Sequence, residues 1–135
     1  MTGTEMRQFP AQLEEIGHAR RFAGGVVAGH PAADDVVLAV SELAANAVEH
    51  TAAGRHDSFE VRITHLADAV LVEVHDHGGA GAPRLGAAGS EATRGRGLFL
   101  VDHLSRGWGV TRRPDHTGVW CEIGCTCAAP VPAAA

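Results

Sequence analysis

Glu42, Asn46 and His50 recur every four residues in a stretch, Val36 to His50, that is otherwise mostly Val, Leu and Ala. Such positions stack on one face of a helix, while Leu38, Leu43, Ala44, Ala47 and Val48 cover most of the remainder. A carboxylate on this stripe can act as a base, and an amide oxygen suits a hard cation. Burying either group without a partner costs about 1–3 kcal/mol, and more for a charge. Either other side chains satisfy them or a ligand does.

Two further groups have chemical potential. Asp76-His77-Gly78 ends an alternating apolar run, and alternation puts Asp76 on the same face as Val70, Val72 and Val74. A carboxylate there can accept a hydrogen bond from an exocyclic amine. Gly95-Arg96-Gly97 precedes the apolar Leu98-Phe99-Leu100-Val101. Glycines at a helix N-terminus offer free N–H groups and a positive dipole end to phosphate. Each feature alone also reads as ordinary structure: an internal Glu–Asn hydrogen bond, a turn, a pair of loop glycines. A Rossmann fingerprint is excluded, because the Gly-x-Gly follows a long loop rather than a strand and lacks a third glycine. The order and spacing of all three together point to a nucleotide site.

The elements that must position these groups follow from periodicity. Leu13, Ile16, Ala19, Ala23, Val26 and Val27 predict a first helix over about residues 11–29, stopped by His30-Pro31. Asp34-Asp35 open the second helix, where the macrodipole favours carboxylates, and it ends near Thr51 to Gly54. From Ser58 the period becomes two, and Ala67-Asp68 separates two antiparallel strands. Residues 77–96, rich in Gly and Ala, show no usable period and read as a functional lid or as disorder. A third helix resumes at Gly97, which puts Gly95 and Gly97 at its N-terminus. Trp108 to Arg113 and Val119 to Ile123 form a closing hairpin around Pro114 to Gly118. Residues 1–127 read as a single domain and 128–135 as a disordered tail.

Composition narrows the class. The chain has 135 residues, 45% hydrophobic and 20% charged, enough for one domain with a real core. A net charge of -5 with scattered basic residues argues against direct nucleic-acid binding. No apolar run approaches bilayer length and the N-terminus lacks signal-peptide features, which points to the cytoplasm. Cys121, Cys125 and Cys127 are an odd number without paired CxxC spacing, so neither a disulfide framework nor a zinc site is indicated.

From about Phe9 to Ile123 the sequence resembles the GHKL ATPases, the superfamily that includes the ATP-binding domains of histidine kinases and type II topoisomerases. Ser41 to His50 resembles the N box, Asp76-His77-Gly78 the G1 box and Gly95-Arg96-Gly97-Leu98 the G2 box. Thr117, before Val119-Trp120, resembles the late threonine that helps hold adenine. Small size and motif wording are most similar to the anti-sigma-factor serine/threonine kinases and their actinobacterial regulatory relatives. The resemblance implies an α+β fold, a two-layer Bergerat-type α/β sandwich whose mixed, mostly antiparallel sheet carries helices on one face, with ATP under a mobile lid. It implies Asn46 as magnesium ligand, Glu42 as catalytic base, Asp76 as adenine anchor and Gly78 as the close-approach glycine. Gly95 and Gly97 would contact phosphates, and His50, Leu98 and Thr117 complete the ATP site; the charge of Arg94 or Arg96 and its position at the lid, more than a motif match, would bring it to the γ-phosphate. The implied partners are ATP, an anti-anti-sigma protein of the STAS type and a sigma factor. An alternative on the same fold is a nucleotide-dependent switch that transfers no phosphate, motivated by Ala80 at the last position of Asp-x-Gly-x-Gly. The extended N-terminal segment offers a strand for a symmetric dimer.

Overall fold

The computed structural model describes residues 3–50, 58–77, 91–114 and 116–125. Five strands, β1 (Gly3–Pro10), β2 (Ser58–His65), β3 (Ala69–His77), β4 (Gly107–Arg112) and β5 (His116–Gly124), form one sheet in the order β1-β2-β3-β5-β4. Three helices, α1 (Glu15–Val26), α2 (Ala33–His50) and α3 (Glu91–Leu104), complete the described elements. Every neighbouring pair of strands is antiparallel. β3 and β4 nevertheless run in the same direction, because α3 lies between them in the chain and β5 is inserted between them in the sheet. The expected mostly antiparallel α+β sandwich is what forms.

Alternation decides the two faces of the sheet. Val70, Val72 and Val74 of β3 pair with Ile123, Cys121 and Val119 of β5, and on the other side Val72 and Val74 pair with Ile63 and Val61 of β2. All of these are buried. The opposite face carries Glu60, Arg62, Glu73, His75 and Trp120, knitted by Arg62–Glu60 at 2.8 Å and His75–Glu73 at 2.9 Å. The core therefore lies between one sheet face and the helices.

Within the helical layer α2 is central. It packs on β3, with α1 on one side and α3 on the other. Its carboxylates Asp34 and Asp35 occupy the first turn, as expected. The preceding turn is set by Gly29 at φ 81° and by the Ala32 N–H, which donates to His30 Nδ1 at 3.0 Å.

Three boundaries differ from the sequence expectation. The first helix starts at Glu15, not near residue 11: the Gln12 N–H donates to the Pro10 carbonyl and the Glu15 N–H to the Gln12 carbonyl. That turn leaves Leu13, expected on the apolar face, 70% exposed. The third helix begins at Glu91 rather than Gly97. The last strand begins at His116, because the Arg113 N–H donates to the His116 carbonyl and closes a tighter turn than Pro114 to Gly118.

Candidate functional site

The buried stripe of α2 is Val36, Val40, Leu43 and Ala47, four positions within a narrow arc that meets the sheet. One flank of that stripe meets α1, since the Arg20 guanidinium donates to Ser41 Oγ at 3.3 Å and a Cβ at Gly24 would lie 3.9 Å from the Val37 side chain. Ala39, Glu42 and Asn46 lie on the other flank at 100° per residue, the flank turned toward α3. Asn46 is 6% exposed, and its Oδ1 is buried with no hydrogen-bond partner among the described residues. Glu42, one turn earlier, is half-buried. The expectation of an internal Glu42–Asn46 hydrogen bond does not account for the amide oxygen.

The sheet contributes the second wall. Asp76 ends the inward row of β3 and is 6% exposed. Thr117 is its direct cross-strand partner on β5 and is 3% exposed. Two residues 41 positions apart in sequence thus stand side by side on one face. On the other side of Asp76 the paired residue is Phe59, fully buried. Phe59 was not among the site residues expected from sequence, although its place in the period-two run that starts at Ser58 puts it inward. Asp76 and Thr117 offer hydrogen-bonding groups, and Phe59 an apolar side, at one end of the core.

Gly95 and Gly97 are placed differently than expected. They sit in the second turn of α3, not at its first residues, because the helix extends back to Glu91. In this arrangement their N–H groups belong to the intrahelical ladder, so they do not present the free amides of a helix N-terminus. Leu98 is half-buried and Val101, on the same helix, is buried in the core. The side chains of Arg94 and Arg96 lie outside the described residues, as do that of His50 and all of Gly78. The expected cysteine arrangement is revised in part: Cys121 is a free, buried strand thiol, whereas Cys125 is disulfide-bonded. Burial pushes the Cys121 thiol up to about 12.

Among the described residues no cluster of three or more His, Cys, Asp or Glu is arranged to hold a metal. The donor chemistry nevertheless fits magnesium, which binds through few protein oxygens and keeps phosphate and water ligands. Asn46 Oδ1 is such an oxygen. No described helix is long and apolar enough to cross a membrane.

The family model of the histidine kinase-like ATPase domain matches residues 9–123. The chain belongs to this ATP-binding family. No curated protein matches it.

Proposed function

We propose that the chain is an ATP-dependent regulatory kinase of the anti-sigma-factor type. It transfers the γ-phosphoryl group of ATP to a serine or threonine of an anti-anti-sigma partner of the STAS type, sequesters a sigma factor, or does both. The observation that carries this reading is the buried Oδ1 of Asn46, without a hydrogen-bond partner among the described residues, on the same helix flank as Glu42. A stripe kept only for packing would favour an apolar side chain at position 46, because an orphaned buried amide costs about 1–3 kcal/mol.

In this reading Asp76 accepts a hydrogen bond from the adenine amine, and Thr117 beside it holds the same edge. Phe59 lines the apolar side. Asn46 holds magnesium, which would bridge the phosphates and neutralise charge on the transferring group. Glu42, less buried and one turn away, takes the proton of the attacking hydroxyl. Gly78, Leu98 and His50 complete the ATP site, as the motif resemblance implies, and Arg94 or Arg96 meets the γ-phosphate by virtue of its charge and its place beside the lid. Contact of phosphate with the amides of Gly95 and Gly97 requires the first turns of α3 to open. Glycine makes that inexpensive, since each destabilises a helix interior by about 1 kcal/mol relative to alanine.

Two measurements test the reading. Titration calorimetry with ATP and magnesium should show binding that a non-adenine nucleotide does not match, and Asn46→Ala or Asp76→Ala should abolish it. Glu42→Ala should keep ATP binding and lose phosphate transfer. The second reading, a switch without transfer, is favoured by Ala80 and by the helical placement of Gly95 and Gly97. Nucleotide-loaded protein that captures its partner but phosphorylates no STAS-type candidate selects that reading. Partner capture that survives Asn46→Ala and Asp76→Ala removes nucleotide from both.

A further inference from the structure

We infer that the outward face of the sheet carries a site for a divalent transition-metal ion, zinc foremost, held by His75, His77 and His116. The site lies on the face turned away from the helices and uses none of the nucleotide chemistry of the reading above. Its first support is register. His77 of β3 is the cross-strand partner of His116 of β5, and His75 stands two residues earlier on β3. Alternation gives all three positions one face, opposite the buried row of Val74 and Asp76. The Cys125 N–H donates to the Asp68 carbonyl at 2.9 Å, which marks a hydrogen-bonded pair at the β3–β5 seam. Bonded and non-bonded pairs alternate along an antiparallel ladder, so Asp76–Thr117 is bonded and His77–His116 is not. Non-bonded pairs bring side chains closest together.

His75 is prepared as a ligand. Its Nε2 lies 2.9 Å from Glu73 Oε1, and because a carboxylate only accepts, Nε2 carries the proton. In the neutral ring that leaves the lone pair on Nδ1. The residue is 8% exposed, and Nδ1 is buried with no hydrogen-bond partner among the described residues. One nitrogen turned to a carboxylate and the other bare is the arrangement that orients an imidazole on a metal. Nδ1 also leans toward the strand that carries His116. A Cβ at Gly118 would sit 2.7 Å from it, so the glycine leaves room for the ring over β5. The ring centres of His75 and His116 are 5.3 Å apart. Two imidazoles bonded at about 2.0–2.1 Å to one tetrahedral zinc have ring centres about 5 Å apart, so these two need little movement to share an ion. The His77 side chain lies outside the described residues; its register position opposite His116 is what assigns it the third nitrogen.

Donor type selects the ion. Neutral imidazoles suit zinc and its first-row neighbours, whereas magnesium and calcium take oxygen ligands, so this site is distinct from one that holds magnesium on phosphate. Glu73, and Glu60 opposite His75, bring negative charge near it; Glu60 is 8% exposed and paired with Arg62 at 2.8 Å. Three protein ligands leave a fourth position to water. Bound there, the ion ties the end of β3 to the start of β5, directly behind the Asp76–Thr117 pair.

Zinc uptake by the full chain, without affinity tag or nucleotide, tests this, and loss of ATP binding would leave its outcome unchanged. After loading with zinc sulfate and dialysis, elemental analysis should find about one equivalent of zinc per chain. Cobalt(II) in its place should give the visible spectrum of a nitrogen-ligated ion without a thiolate charge-transfer band. His75→Gln, His77→Gln and His116→Gln should each lose the retained metal, and Glu73→Gln should weaken binding about 10–100-fold. His103→Gln, at an exposed residue outside the cluster, should bind as wild type does. Zinc should raise the melting temperature of wild type but not that of His116→Gln, a half-buried position whose variant should keep the circular-dichroism spectrum of the fold. A chain that retains no zinc overturns the inference. So does zinc kept by any of the three histidine variants, or a thiolate band, which would place the ion on a cysteine.

Discussion

Asn46 and Cys121 show how burial gives opposite meanings to two polar atoms. Asn46 Oδ1 is buried without a partner among the described residues, whereas the Cys121 thiol is at home among valines as a small apolar group. Replacing Asn46 by a similarly sized apolar residue separates structure from function. Asn46→Leu should leave stability unchanged or raise it by about 1 kcal/mol in urea unfolding, and should eliminate calorimetric ATP binding. A large loss of stability would make Asn46 a packing residue. For Cys121 the direction of the shift sets the pH dependence. Burial pushes the folded thiol up to about 12 against an ordinary value of 9.0, so both states hold the proton below pH 9.0. Above it only the unfolded chain releases the proton, and stability should fall as pH rises from about 9 towards 12. Cys121→Ala should flatten that alkaline decline in pH-dependent unfolding, although its packing loss lowers stability throughout.

At the scale of elements, cross-strand geometry assigns two glycines a purpose that periodicity does not reveal. Gly118 of β5 lies opposite His75 of β3, and a Cβ there would sit 2.7 Å from the His75 ring. Gly109 of β4 lies opposite Trp120, whose ring a Cβ would meet at 2.9 Å. An aromatic ring laid over a cross-strand glycine covers the backbone and pins register. Gly118→Ala and Gly109→Ala should each cost about 1–3 kcal/mol by chemical denaturation, from forced movement of the ring. Gly3, with nothing near it, should tolerate the same change. The glycines of α3 should behave in the reverse sense. Gly95→Ala/Gly97→Ala should raise the melting temperature, because both positions are helical, and should weaken ATP binding if α3 must open around phosphate. A double variant that gains stability and binds ATP as wild type does would show that these turns stay helical in the complex.

At the scale of the molecule, the proposed ATP site draws on a helix flank, two adjacent strand ends and α3, so ligand binding should couple to the stability of the whole fold. ATP with magnesium at about a hundredfold excess over its dissociation constant should stabilise the protein by about 2.7 kcal/mol, read as a rise in melting temperature. That rise should vanish in Asp76→Ala, whose position on the inward sheet face is far in sequence from Asn46. Arg106 illustrates a different long-range tie. It bridges Asp68 in the β2–β3 turn and Glu122 of β5, each at 3.1 Å, and holds the Asp68 carboxyl below the usual carboxylate range by hydrogen bond and charge. Both groups are exposed, so this tie fixes the turn more than it adds stability.

Local chemistry in the chain sufficed for much of this. The period of two placed Asp76 inward, the i, i+4 spacing put Glu42 and Asn46 on one flank, and Asp34-Asp35 marked the start of α2, since each depends only on backbone geometry within a few residues. Element ends were less legible. The apolar spacing from Leu13 onward suggested a helix from about residue 11, but backbone hydrogen bonds in the turn moved its start to Glu15. The glycines suggested a loop up to residue 96, yet α3 continues back to Glu91. Only the tertiary structure set Thr117 beside Asp76 and showed that Asn46 Oδ1 finds no partner among the described residues. The reason is physical: strand register and hydrogen-bond phase are properties of pairs of segments, fixed by which rows bury together, and no single stretch of sequence contains them.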